Sequence, residues 1–510
     1  MPLAAYGFRT REVRGYVLAV TDSGPQRRGF AWLPVSVVAL AVMALLLMFA
    51  SRYGYHRDEL YFRVLGRHPA WGYVDQPPGT PLLTRASIAV FGDTVRGLRV
   101  PAVLAAGAVA YLCALVARET GGGRGAQTLA AAAASGTLVL TFGHLFVTTS
   151  LDMVIWLAVA LFAFRALLRD QPRWWLAVGT VVGVGLYNKL LVLLLLAALG
   201  AGLLAVGPRR VLRSWWPWAG TGPAALIGVP NLVYQVTHHF PVLTMAGALR
   251  SDKGALGGVL NIPFFFLTVG PPLSYIAVVG LLRVLRDAEL RPVRAFGAGY
   301  LLLLVLLCAV AAQPYYAMGM VLVLYAVGSV PVARGLAERR RGRALFALLL
   351  VLNVVTSVAF ALPVLSLHSQ EKLHLAEADQ GLGDEIGWPR YVSQIAAVYR
   401  PGAIVITGNY GEYGALDRYG AAHGIPRQVL YSGQNALRTL GTPPDSARTA
   451  VVVGIDDRAW LFAQFADCRA EGRLDSGYRI DSEEQGRAVY LCHGPVRPWH
   501  VLWPRFLHYD

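Results

Sequence analysis

Residues 53–81 read YGYHRDELYFRVLGRHPAWGYVDQPPGTP, a stretch dense in charge and aromatic rings that separates two hydrophobic runs at about 30–50 and 97–117. Each run matches the ~20 apolar residues that a helix needs to cross a hydrocarbon core about 30 Å thick. Lipid offers no partners to backbone amides, so such runs must be helical. The charged stretch is then a loop at one membrane face, and the fold class follows from it: an α-helical polytopic membrane protein.

The remainder of the chain agrees. Its 510 residues are 55% hydrophobic and 15% charged, with mean hydropathy +0.48, which is too apolar for a soluble enzyme of ordinary composition. Further runs at about 127–142, 151–168, 174–187, 190–206, 216–236, 261–284, 295–312, 317–333 and 344–364 bring the expected spans to about eleven. Tyr187-Asn188-Lys189 interrupts a run too long for one crossing and is read as a break. The first run is too long for a signal-peptide core and is expected to be a retained anchor.

The formal net charge of +16 divides into about +19 through residue 366 and about −3 beyond it. Basic residues therefore report topology and lipid contact, and no face for a nucleic acid is implied. With Arg9, Arg11, Arg14, Arg27 and Arg28 inside, the alternate loops carrying Arg118/Arg124, Arg169/Arg173, Arg209/Arg210/Arg213, Arg283–Arg294 and Arg334–Arg343 also fall inside. The expected organisation is a basic cytoplasmic N-terminus (1–29), a multi-pass region in the plasma membrane (30–366) whose first outer loop (51–96) holds the chemistry, and an extracytoplasmic α/β domain (367–510). That last region contains the strand-like runs Ala403–Thr407 and Ala450–Val453. Arg52, Arg57, Arg63, Arg67 and Arg85 in the outer loop break the positive-inside pattern, and are read as a surface for anionic groups. Cys113 and Cys308 sit in apolar runs. Cys468 and Cys492 are candidates for a disulfide if their region is outside the cytoplasm, or else two unrelated thiols.

Several groups could carry chemistry. Asp58 and Glu59 follow the first span beside His56 and Arg57, ahead of Tyr61; a partly desolvated carboxylate there can act as a general base, or the pair can be a solvated helix start. Asp152 enters the fourth span after Thr148-Thr149-Ser150-Leu151, where it either faces a cavity or caps a helix. Lys189 either neutralises a lipid-linked phosphate or reaches to headgroups. Asp75-Gln76-Pro77-Pro78-Gly79 is a turn that would hold Asp75 or Gln76 rigidly. His238 with His239, and Tyr315 with Tyr316, add imidazole and phenol groups at span ends, with headgroup-level polarity as the alternative. Asn409, Glu412 and Asp417 flank a Gly-rich turn in the C-terminal region. No Walker loop, strand-linked GxGxxG, CxxC pair or HExxH is present, so an outward-facing enzyme would need a donor that arrives through lipid.

In these residues the chain resembles the GT-C glycosyltransferases, specifically the bacterial branch related to protein O-mannosyltransferases and aminoarabinose transferases (family 39/83). HRDELY (56–61), WGYVDQPPGTPL (71–82), TSLDMVIW (149–156), LYNKLL (186–191), PNLVYQ (230–235) and PYYAMG (314–319) carry the likeness, with NYGEYGALDRYG (409–420) and SGQN (432–435) resembling the outer domain of actinobacterial-type members. The resemblance implies transfer of a hexose or pentose from a polyprenyl-phosphate donor, with inversion, to a glycan, lipid or protein acceptor outside the cytoplasm. It also implies that Asp58 is the first-loop catalytic acid. Many relatives carry His or Lys where Gln76 stands. On this reading Asp58 is the base, Glu59 orients it, Arg57, Lys189 and Gln76 meet the phosphate, and Asp152, Asp75, Tyr61, His238 and Tyr315 contact substrate or a divalent cation. The competing class is a lipid-linked sugar flippase.

Overall fold

The structure, a computed structural model, describes residues 28–252, 270–310, 312–373 and 380–509. Arg9, Arg11, Arg14 and Arg27, and the first part of the run at 261–284, lie outside the described residues. The membrane-type helices are α1 (Trp32–Phe49), α4 (Val95–Glu119), the bent pair α5 (Arg124–Ala134) and α6 (Thr137–His144), α7 (Thr148–Leu168), α8 (Trp174–Leu186), α9 (Leu191–Val206), α10 (Trp215–Thr237), α12 (Tyr275–Arg286), α13 (Arg294–Ala309), α14 (Met318–Glu338) and α15 (Arg340–Ala361), with the shorter α11 (Pro241–Asp252) following α10. Among the described residues six helical segments are long and apolar enough to span, or seven with the α5/α6 pair, which bends by 61°. The count of about eleven is not reached among the described residues: α8 and α9 are apolar but shorter, and the run at 261–284 is described only in part. The protein is multi-pass, and α8 and α9 part at residues 187–190, where the sequence places the break.

Small residues set the helix contacts. A Cβ on Gly179 would press into the carbonyl of Gly220, so α8 and α10 cross with their backbones touching. Buried Val, Leu and Ala from α4, α7 and α14 fill one continuous membrane core.

The first loop is itself folded into α2 (Arg57–Arg67) and α3 (Gly79–Phe91). His56 starts α2: its Nδ1 accepts from the Asp58 amide, while Glu59 reaches back to accept from the His56 amide at 2.9 Å. The C-terminal unit is a five-stranded sheet in the order β2-β1-β3-β5-β4, with β1 (Ile404–Thr407), β2 (Leu430–Ser432) and β3 (Thr449–Val453) parallel, and β5 (Ala488–Pro495) antiparallel to both β3 and β4 (Phe465–Arg473). Alternation splits its side chains between two layers. Ile404, Ile406, Ala450 and Val452 pack on Trp499, Trp503 and Phe506, whereas Val405, Val451 and Val489 share a core with Trp388 and with Leu60, Phe62 and Leu65 of α2. The loop and the C-terminal unit are thus one packed body. Cys468 and Cys492 face each other across β4 and β5 and are joined as a disulfide.

Candidate active site

Three segments far apart in sequence converge on the inner side of the first loop. The Asp75–Gly79 turn docks on the α8/α9 break: the Gly79 amide donates to Tyr187 O at 2.6 Å, and a Cβ on Gly79 would press into that carbonyl. Thr80 Oγ1 donates to Asn188 Oδ1 at 3.0 Å, and Asn188 Nδ2 donates to Asp152 Oδ1 at 2.9 Å and Thr148 O at 2.8 Å. Asn188 therefore locks the turn, the break and the start of α7 together. The Lys189 side chain, next in sequence, lies over the rings of Tyr316 at 4.6 Å and Tyr315 at 5.7 Å.

Beside this junction is a cavity of about 630 Å³. Its polar lining residues include Asp75, Gln76, Lys189, Gln235 and Gln313, and its apolar ones Leu190, Leu194, Val242, Met245, Leu306 and Val310. Gln76 is 7% exposed, and its Nε2 has no hydrogen-bond partner among the described residues. A buried amide without a partner costs about 1–3 kcal/mol, so its position on the cavity suits a ligand acceptor atom. A smaller recess next to it is lined by Asp152, Tyr315, Tyr316 and Trp156.

On the other side of the turn, Tyr61 donates to Asp75 Oδ1 at 3.2 Å and its ring stacks on Tyr410 at 4.8 Å. Tyr410 begins α17 (Tyr410–Tyr419), which follows two further C-terminal helices, Leu367–Leu373 and α16 (Trp388–Val398). Its hydroxyl donates to Asp58 Oδ1 at 2.9 Å. Asp58 is half-buried, and Tyr410 engages one of its two carboxylate oxygens. The Asp75 carboxyl is pushed up to about 7, chiefly by burial, against the pull of the Tyr61 hydrogen bond.

The structure reassigns several expected groups. Glu59 does not orient Asp58: it is fully buried and accepts from Arg99 Nε and Nη2 at 2.8 Å, from the Phe146 amide and from the His56 amide. The same Arg99 reaches Glu385 at 3.0 Å, which also meets His144 at 3.2 Å. Arg57 is taken by an ion pair with Glu483 and lies 4.7 Å over the Tyr410 ring. Arg63 pairs with Asp93 and Asp417, and Arg67 with Asp417, so these loop arginines are engaged by carboxylates of the protein itself. Asp417, with Arg427 as a further partner, is a structural tie. Glu412 caps its own helix by accepting from the Gly408 and Asn409 amides. His238 is exposed, stacks on Tyr234 and lies off the cavity, which its neighbour Gln235 lines instead. Asn188, Gln235 and Tyr410 are the members that sequence reasoning did not assign. Among the described residues no three His, Cys, Asp or Glu side chains are grouped to hold a metal ion.

Residues 75–234 match the family model described as dolichyl-phosphate-mannose-protein mannosyltransferase. The chain is similar to ArnT from Cupriavidus metallidurans in the apo state, at 15% identity and TM-score 0.56, covering 90% of this chain and 97% of that one. It is equally similar to ArnT of the same organism bound to undecaprenyl phosphate, at 15% identity and TM-score 0.56, covering 91% and 98%. No curated protein matches it by sequence. The likeness shows that the chain has the fold of ArnT.

Proposed function

We propose that the protein transfers a sugar from a polyprenyl-phosphate donor to an acceptor at the membrane face that carries the first loop and the C-terminal unit. The observation that carries this is the largely apolar cavity that Lys189, Asp75 and the unpartnered amide of Gln76 also line, with Asp58 linked to Asp75 through the stacked Tyr410 and Tyr61. A lipid tail fits the apolar lining, a phosphate meets the cation and amide, and the sugar faces the carboxylates. The likeness to ArnT bound to undecaprenyl phosphate supports the same donor class.

In the step itself, the acceptor hydroxyl oxygen attacks the anomeric carbon, Asp58 takes its proton, and the bond to the phosphate oxygen breaks with inversion. The departing polyprenyl phosphate carries the negative charge, which Lys189 and the Gln76 amide stabilise. Tyr410 holds Asp58 in place, the role first given to Glu59. Asp152, through Asn188, positions the break that presents Lys189. The basic loops support a reading with the N-terminus in the cytoplasm and the C-terminal unit outside the plasma membrane.

The test is transfer of label from polyprenyl-phosphate hexoses and pentoses to cell-envelope acceptors by protein in proteoliposomes, comparing wild type with Asp58→Asn. Transfer lost in the variant supports the reading; lipid movement between leaflets without transfer would replace it with a flippase.

A further inference from the structure

A second cavity, of about 330 Å³, opens in the C-terminal unit. It is lined by the segments that follow the three parallel strands: Thr407-Gly408-Asn409 after β1, Gly433 after β2 and Gly454-Ile455-Asp456 after β3. β1 has β2 on one side and β3 on the other, so the chain leaves it in one direction and returns on the opposite flank. In open α/β sheets ligands bind in the crevice outside the carboxyl ends of strands at such a point. The volume falls in the range of about 300–1,000 Å³ typical of small-ligand sites. Its backbone is tightly packed, since a Cβ on Gly408 would run into the carbonyl of Gly454 and one on Gly433 into that of Phe506.

Its chemistry selects the ligand class. One wall carries the rings of Trp460 and Phe506, edge to face at 5.0 Å. The polar groups are Asn409, Asp456, Glu483 and Arg487, together with Thr407 Oγ1, which is buried and has no hydrogen-bond partner among the described residues. The cations are already engaged: Arg487 is paired with Asp456, and Arg505 donates to Gln464 at 3.3 Å. The lining sets two cations, Arg487 and Arg505, against two carboxylates, Asp456 and Glu483, so it offers an anionic ligand no net positive charge. A neutral ring with one apolar C–H face and a rim of hydroxyls fits both the aromatic wall and the mixed donors and acceptors.

We propose that this crevice is a carbohydrate subsite holding a sugar residue of the acceptor glycan. Its place supports that occupant. Glu483 lines the crevice and pairs with Arg57, Arg57 lies over the Tyr410 ring, and Tyr410 binds Asp58, so the back wall of the crevice is the support of the candidate base. The identity of the glycan as acceptor rests on the transferase reading; sugar binding in the crevice does not require transfer.

The experiment is a donor-free titration of the full-length protein in nanodiscs with mannose and arabinose oligosaccharides, read by saturation-transfer NMR, with inorganic phosphate as competitor. Saturable sugar binding is expected in wild type and in Asp58→Asn, weakened by about tenfold or more in Trp460→Ala and in Thr407→Val, the latter keeping the side-chain shape and thus the fold. A flat titration with wild type, binding unchanged in both crevice variants, or displacement of the sugar by phosphate overturns the proposal. Failure of the transferase reading would look different: Asp58→Asn would transfer sugar normally while binding stayed as in wild type.

Discussion

The Tyr410 hydroxyl donates a 2.9 Å hydrogen bond to Asp58 Oδ1 across 352 positions of sequence. Burial, then the adjacent Asp58 carboxylate, push the Tyr410 phenol well above its usual range, so it stays a donor at any working pH. The C-terminal unit therefore supplies part of the candidate active site rather than merely covering it.

Asp58→Asn is expected to lower the transfer rate by about 10²–10⁴-fold, the usual worth of a positioned base. Tyr410→Phe keeps the ring stack on Tyr61 and is expected to cost about tenfold, since only the orienting hydrogen bond is lost. Single-turnover label transfer measures both; a Tyr410→Phe enzyme as fast as wild type would show that Asp58 needs no such support.

At the cavity, Lys189→Gln and Gln76→Ala are expected to weaken binding of polyprenyl phosphate by about ten- to a hundredfold each, in line with charge-assisted hydrogen bonds of about 1.5–3 kcal/mol. Leu194→Ala on the apolar wall would act on donors with long tails more than on short-chain analogues. Equal affinity of wild type and Lys189→Gln for the lipid phosphate would move the anion to another place.

The pH dependence follows from Asp75. Its carboxyl is raised from 3.8 to about 7, so in the folded protein it holds its proton in acid and loses it near neutrality. A raised value favours the folded state fully below the ordinary carboxyl range, and that contribution is lost as pH rises through about 7. Thermal unfolding of wild type should therefore fall, relative to Asp75→Asn, between about pH 4 and pH 7. Parallel melting of the two proteins over that window would contradict the assignment.

Arg99 is fully buried between Glu59 and Glu385. Burial pushes the Glu385 carboxyl up, but Arg99 and His144 outweigh it and bring the carboxyl down to about 2. The paired state is then retained above the ordinary carboxylate range and lost only as pH falls towards about 2. Arg99→Met takes the guanidinium from two buried carboxylates and is expected to cost about 3–5 kcal/mol, seen as loss of folded protein on extraction, with Glu59→Gln milder. An Arg99→Met protein that melts like wild type would remove Glu59 from the structural role given to it here.

The legible parts of this protein were those written locally. The break at Tyr187-Asn188-Lys189, the strands near 404–407 and 449–453 and the Pro-Pro-Gly turn each announce themselves within about ten residues, because periodicity and proline geometry act over that range. Asp58, Asp75, Gln76 and Lys189 were singled out by residue type between apolar runs, and the structure brings them to one junction. Glu59 and Arg57 were misread, because adjacency to Asp58 in sequence says nothing of direction: on a helix start one side chain turns to Arg99 and another to Glu483. His238 was misread for the same reason, Gln235 being the residue of its helix that reaches the cavity.

Sequence alone determined that the chain crosses a membrane many times and ends in a mixed α/β unit, since the thickness of hydrocarbon and the alternation of a strand impose patterns on neighbouring residues. Tertiary structure decided which charges are free to do chemistry. Arg57, Arg63 and Arg67 resembled anion ligands until Glu483, Asp93 and Asp417 took them, and Asp58 lacked an orienting group until Tyr410 supplied one. Those partners stand tens to hundreds of positions away, and a buried charge is satisfied by whatever packing brings within reach, a choice no local pattern encodes.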